Sequence, residues 1–294
     1  MTTSSSTLPT ADDVLHGVDL SGRTAVVTGG YSGIGLEISR ALHRAGARVV
    51  VPARRPDVAR RALGPVADVV PMDLADLATV DAFADSYVRS HGTLDLLVAG
   101  AAIMACPETR VGPGWEAQFA VNHLGHFALV CALWPALLPA PTARVVAVAS
   151  GRAPDDRIRW HDVHFASGYD KWAAYGQSKL ANVLFAHRLD QLGVAHGVRA
   201  FSASPGYILT PLQRHLPMDE MIAAGWLDAA GEPVPGLFRT PEQGAATPVW
   251  AATRATRGGA YCVDCGEAEP YPHEDAEAER LWQYSVEATG HDLR

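Results

Sequence analysis

Residues 28–35 read TGGYSGIG, with Gly29, Gly33 and Gly35 spaced G-x-x-x-G-x-G directly after the apolar run Thr24-Ala25-Val26-Val27. Glycines between a strand and a helix let the backbone approach a pyrophosphate closely and turn the first helical N–H groups toward its charge. A tight strand-to-helix turn also uses glycine, so the flanking sequence has to decide between the two.

Downstream, Ile34 to Ala45 has the apolar spacing of an amphipathic helix closed by Gly46, and Arg48-Val49-Val50-Val51 reads as a second strand stopped by Pro52. The alternation continues. An apolar run ends at Val70-Pro71, a helical pattern covers Leu77 to Arg89, and Leu94 to Val98 reads as strand. A helix from Trp115 to Leu138 is expected next, followed by the strand Arg144 to Ala149, a helix from Tyr175 to Leu192, and strands at Val198–Ser202 and Gly259–Val263. Strands that are apolar throughout suit a parallel sheet covered on both faces. The pattern predicts an α/β, Rossmann-type doubly wound parallel sheet of about seven strands with helices on both faces. A single domain over 21–294 is expected, preceded by a flexible extension over 1–20.

Composition excludes several classes. The chain has 294 residues, 48% of them hydrophobic, and a formal net charge of −8, which argues against general affinity for nucleic acid phosphates. The longest apolar stretch, Phe127 to Leu138, contains Pro135 and is well short of the roughly 20 residues that span a bilayer. The polar start MTTSSSTLPTADD lacks the layout of a secretory signal, so a cytoplasmic location without a membrane span is expected. Cys262 and Cys265 form a lone C-x-x-C with no second close pair, and His123 and His126 have no carboxylate or thiol completing a set; no metal site is expected.

Ser150, Tyr175 and Lys179 form a second constellation. Tyr175 and Lys179 are one turn apart on one helical face, and Ser150 follows the preceding strand. A phenol of pKa about 10 is a poor acid–base group near neutrality unless a cation favours the phenolate, and Lys179 is placed to supply that field. Ser150 can hold a substrate oxygen beside Tyr175. Asp73, after Pro71-Met72, is placed either to accept from an adenine amino group or to cap a helix.

Together TGGYSGIG, Asn122 in VNHLGHF, Ser150 in VVAVASG, YGQSK at 175–179 and SPGYILT at 204–210 resemble a classical short-chain dehydrogenase/reductase over about residues 20–265. VNHLGHF, YGQSKLANVLFA and YCVDCGEAEP are most similar to its retinol dehydrogenase and WW-domain oxidoreductase branch. The resemblance adds Asn122 to the catalytic set as holder of a water that links Lys179 to solvent. It places Lys179 on the nicotinamide ribose. It also implies that Tyr31, Ser32 and Ile34 of the glycine loop, Leu74 beside Asp73, and Pro205, Gly206, Ile208 and Thr210 bind cofactor. One motif departs from the family: Ala99-Gly100-Ala101-Ala102 stands where Asn-Asn-Ala-Gly is usual, so a bracing side-chain amide is missing.

The second strand is followed by Ala53-Arg54-Arg55 where an NAD enzyme would carry a carboxylate. NADP(H) is therefore the expected cofactor, with Arg54 as its main reader. The expected reaction interconverts a carbonyl and an alcohol of a small molecule; homo-oligomerisation is compatible with this reading. The segment 207–240 carries Leu209, Leu212, Met218, Met221, Trp226 and Phe238 between several prolines and glycines, which suits either a substrate lid for a lipophilic or polycyclic molecule or ordinary packing of two short helices on the sheet edge. A catalytically silent dinucleotide-binding sensor or scaffold is the alternative in a different class, because fold alone does not prove chemistry.

Overall fold

The computed structural model describes residues 8–151, 157–269 and 274–294. Its elements in chain order are α1 (Ala11–Leu15), β1 (Thr24–Thr28), α2 (Gly33–Arg44), β2 (Arg48–Ala53), α3 (Pro56–Leu63), β3 (Ala67–Pro71), α4 (Leu77–His91) and β4 (Leu96–Ala99). A short hairpin of β5 (Arg110–Val111) and β6 (Trp115–Glu116) leads into α5 (Ala117–Phe119), a π-helical turn Ala120–Leu124, and α6 (Gly125–Leu137). The second half comprises β7 (Ala143–Val148), α7 (Lys171–Gly193), β8 (Val198–Ala203), α8 (Met218–Ala223), α9 (Pro241–Gly244), α10 (Ala246–Thr253), β9 (Tyr261–Val263), β10 (Gly266–Glu267) and α11 (Glu274–Thr289).

Strand order is β10-β9-β8-β7-β4-β1-β2-β3, with every neighbouring pair parallel except β9 and β10. The expected seven-stranded parallel sheet is present, and a hairpin partner adds an antiparallel eighth at its edge. The order reverses between β1 and β4, which places a crevice at the carboxyl ends of these two strands.

The strands are apolar throughout because both faces are buried. Ala25 and Val27 of β1 pack with Ile38, Leu42 and Val249 on one side, while Val26 packs with Phe83, Phe127 and Phe185 on the other. The long apolar helix is the centre of this second layer, with Phe127, Leu129 and Leu133 fully buried.

Two expectations are corrected. Pro52 does not stop β2: it pairs with Val70 of β3 at a level where β1 no longer runs alongside, so its missing N–H leaves no partner unpaired. The helix expected from Trp115 begins at Ala117, because the buried Glu116 carboxylate accepts from Gln118 N at 2.9 Å and Phe119 N at 2.7 Å and so caps it. Of the extension 1–20, residues 1–7 lie outside the described residues, and residues 11–15 form α1, capped by Thr10 and Asp13, with Ala11, Val14 and Leu15 buried in the core. The C-terminal helix α11 went unrecognised, although Ala278, Leu281, Trp282 and Ser285 recur at helical spacing and Trp282 meets Phe127 at 4.9 Å between ring centroids.

Candidate active site

A cleft of about 510 Å³ opens at the carboxyl ends of β1, β4 and β7. From the glycine loop it is lined by Gly29, Tyr31, Ser32, Gly33, Ile34 and Gly35, from the end of β2 by Arg54, and from the end of β3 by Asp73 and Leu74. Ser150, Tyr175 and Lys179 line its centre, and Pro205, Gly206, Ile208 and Thr210 close its far wall. The structure thus brings together every expected cofactor and catalytic residue but one.

That exception is Asn122, which is buried one layer behind the cleft in the π-helical turn. Its Oδ1 accepts from Ile103 N at 2.9 Å, and its Nδ2 donates to Ile103 O and to Ser178 Oγ, both at 2.9 Å. Its side chain therefore grips Ile103, which does face the cleft.

The glycine loop is bare of side chains for two separate reasons. A Cβ on Gly35 would stand 2.3 Å from the Gly29 carbonyl oxygen, and one on Gly29 would stand 2.9 Å from Ala101 Cα, so close packing of the loop excludes both. Gly33 adopts φ +52°, in the left-handed region, at the point where the chain turns into α2. The N-cap Ser32 makes no side-chain capping bond, which leaves first-turn N–H groups of α2 to be satisfied from the cleft. A pyrophosphate fits this cradle by charge and by donor supply.

Asp73 lines the cleft as expected, but it does not cap α4: Asp76 does, accepting from Ala78 N. The Asp73 Oδ1 accepts from Ala75 N at 3.0 Å, which fixes the carboxylate in the loop after β3.

At the centre, Ser150 and Tyr175 line the cleft together. Burial pushes the Tyr175 phenol up to about 12, and the neighbouring Ser150 only partly offsets this. The Lys179 amino group lies 5.7 Å from the centre of the Tyr175 ring and donates to Val148 O at 3.0 Å; burial lowers it to about 8. In the free protein burial therefore holds the phenol protonated, against the lowering expected from Lys179.

The outer wall was only partly foreseen. Met104, Trp172, Leu212 and Trp226 line the cleft, and Leu212, Leu216, Met221 and Trp226 pack with Met104, Ala105 and Tyr175 in one apolar cluster. Met104 and Trp172 carry no motif, and only the fold brings them to the mouth. α8 is fastened across this wall by Glu220, which accepts from Lys171 Nζ at 2.6 Å and Trp172 Nε1 at 3.1 Å.

The two histidines of VNHLGHF are engaged separately, His123 with Ser285 Oγ and His126 with Thr28 Oγ1, both at 2.8 Å. Cys262 lies inside β9 and burial raises its thiol to about 12, while Cys265 occupies the following turn at φ 56°.

This fold and site define a nicotinamide-dependent oxidoreductase of the Rossmann type. A family model described as short chain dehydrogenase matches residues 23–221, and the chain belongs to that family. It is 44% identical to a probable oxidoreductase of Streptomyces antibioticus, covering 92% of this chain and 99% of the relative. It is 32% identical to retinol dehydrogenase 12 of Mus musculus, covering 93% and 88%, which agrees with the branch expected from the motifs. Among solved structures, the NADP active-site complex of Pseudomonas aeruginosa RhlG superposes with a TM-score of 0.64 at 26% identity, covering 83% of this chain and 94% of RhlG.

Proposed function

We propose that this oxidoreductase uses NADP(H) to interconvert a carbonyl and an alcohol on a lipophilic or polycyclic small molecule, working as a ketoreductase or alcohol dehydrogenase. The observation that carries this reading is the convergence of Ser150, Tyr175 and the buried Lys179 on one cleft whose outer wall is apolar.

The reduced nicotinamide, when bound, supplies the hydride to the carbonyl carbon. Ser150 holds the carbonyl oxygen, and Tyr175 delivers the proton to it; hydride plus proton converts carbonyl to alcohol. A phenol raised by burial is protonated at neutral pH, so Tyr175 carries the proton that the reductive direction requires. Lys179 is placed to hold the nicotinamide ribose, and once charged it stabilises the phenolate that proton delivery leaves behind. Arg54 and the absence of a carboxylate after β2 support NADP(H), as does the NADP complex of RhlG. The site is served by a small-molecule substrate in a cytoplasmic setting.

The test is NADPH oxidation by the purified protein, followed by absorbance, across ketones and aldehydes graded in size and apolarity. Bulky apolar carbonyls are expected to show the highest kcat/KM. NADPH binding without oxidation by any carbonyl would replace this reading with the silent dinucleotide-binding one.

A further inference from the structure

We infer that Arg214, on the short turn after β8, is a third guanidinium ligand of the cofactor 2′-phosphate, acting with Arg54 and Arg55 from the opposite side of the cleft. The inference rests on the NADP(H) reading above and deepens it.

The turn Pro211–His215 is built to hold its place. Thr210 caps it by accepting from Leu212 N at 3.2 Å, Gln213 Oε1 accepts from Thr210 N at 2.9 Å, and Gln213 Nε2 donates to Ile208 O at 2.9 Å. The Thr210 side chain lies against the glycine loop, 3.1 Å from where a Cβ on Gly33 would stand. The turn therefore sits on the phosphate-binding loop, and Arg214 lines the same cleft as Arg54, Arg55 and Tyr31.

The groups beside Arg214 are the guanidinium groups of Arg54 and Arg55 and the neutral Cys106 and Tyr31, and its Nη1 donates to Pro211 O at 3.1 Å; none of these partners is a carboxylate. Burial, and then repulsion from Arg54 and Arg55, hold its guanidinium below the ordinary arginine range. Several arginines elsewhere do pair with carboxylates: Arg44 with Asp12, Arg48 with Asp68, Arg199 with Asp190 and Arg239 with Asp264. Three like charges converging on one cleft mouth, in a chain of net charge −8, are relieved by an anion that enters the cleft. A phosphate monoester carries nearly two negative charges and offers the oxygens that guanidinium groups bind in pairs. The same turn sends Leu212 and Leu216 into the apolar cluster with Met104 and Tyr175, so an anion held by Arg214 also fixes the wall of the substrate end.

The experiment measures dissociation constants of NADPH, NADH, 2′,5′-ADP and 5′-AMP for the whole chain by calorimetry, in the wild type and in Arg214→Met, Arg214→Lys and Arg54→Ala. Arg214→Met is expected to weaken NADPH and 2′,5′-ADP by about tenfold while NADH and 5′-AMP stay within about twofold; Arg214→Lys should recover part of the loss. Equal weakening of all ligands places the guanidinium on the pyrophosphate or 5′-phosphate and overturns the inference, as does unchanged binding of NADPH. If the wild type binds NADH as tightly as NADPH, the NADP(H) reading itself falls. If Arg54→Ala abolishes the preference and Arg214→Met keeps it, that reading stands and the role of Arg214 does not.

Discussion

The Thr28 hydroxyl lies 2.8 Å from Nε2 of His126 at the end of β1, and this pair braces the cleft floor where the usual side-chain amide is missing. His126 Nδ1 lies 3.0 Å from the Asn122 carbonyl oxygen, so Nδ1 carries the proton and Nε2 accepts from Thr28. Burial lowers His126 to about 4, which keeps this tautomer neutral. With its proton committed to His126, Thr28 Oγ1 accepts from Gly100 N at 2.9 Å and Ala101 N at 3.0 Å. The floor amides of Ala99-Gly100-Ala101-Ala102 are thus satisfied by a hydroxyl. Thr28→Val removes the acceptor of Ala101 N and leaves Gly100 N only its 3.1 Å contact to Val98 O, and the expected loss is about 1–3 kcal/mol in urea unfolding. His126→Phe should cost a similar amount, and the double variant should cost much less than the sum, since one network is broken twice. Additive losses would show that the two residues act independently.

Gly35→Ala places a Cβ 2.3 Å from the Gly29 carbonyl oxygen, backbone against backbone, so the glycine loop has to move. NADPH affinity is expected to fall by at least about tenfold, ~1.4 kcal/mol, measured by fluorescence titration. A Gly35→Ala protein that binds NADPH normally would show that the loop does not hold the cofactor phosphates.

Tyr175→Phe keeps the ring and removes the proton. Turnover is expected to fall by about 100-fold or more, while the NADPH dissociation constant stays within about twofold. Lys179→Met should lower turnover and weaken NADPH together, because one amino group serves both the phenol and the ribose. Loss of affinity in Tyr175→Phe, or turnover close to wild type, would contradict this division of roles.

His123 gives an acid-stability prediction. Ser285 Oγ donates to Leu281 O at 2.8 Å, so His123 Nε2 donates to Ser285, and Nδ1 is left without a partner among the described residues. Burial lowers His123 to about 3, below its ordinary value of 6.5. As pH falls through 6.5 the unfolded chain takes up the proton first, so the stability due to neutral His123 is complete above that pH and drains away toward pH 3. His123→Phe removes this loss and packs among Phe119, Phe127 and Phe185. The Tm difference, variant minus wild type, should rise as pH is lowered from 7 to about 4. A difference independent of pH would mean that the histidine is not buried neutral.

The lid makes a dynamic prediction. Segment 207–240 is held at separate points, by Glu220 on Lys171 and Trp172 and by Arg239 on Asp264 at 2.6 Å, with glycine and proline breaks between them. NADPH, and more so NADPH with a slow substrate analogue, is expected to slow amide hydrogen exchange there while β1, β4 and β7 change little. Equal exchange in free and ternary forms would make the segment a fixed wall.

The sequence by itself determined the parallel sheet, because continuously apolar strands such as Val145-Val146-Ala147-Val148 are stable only with both faces covered. It also determined the glycine loop and the Ser150, Tyr175 and Lys179 set, because these lie at fixed offsets from strand and helix ends. What only the tertiary structure decided depends on contacts between residues far apart in the chain. Asn122 was read as part of the catalytic set, but whether its side chain faces the cleft or grips Ile103 depends on how the π-helical turn packs against the loop after β4. The state of Tyr175 is likewise set by burial, which raises the phenol further than the neighbouring Ser150 lowers it. Arg214 lies 160 residues beyond Arg54, and no local pattern relates them; the crossover order of the sheet and the capped turn after β8 bring them to one cleft.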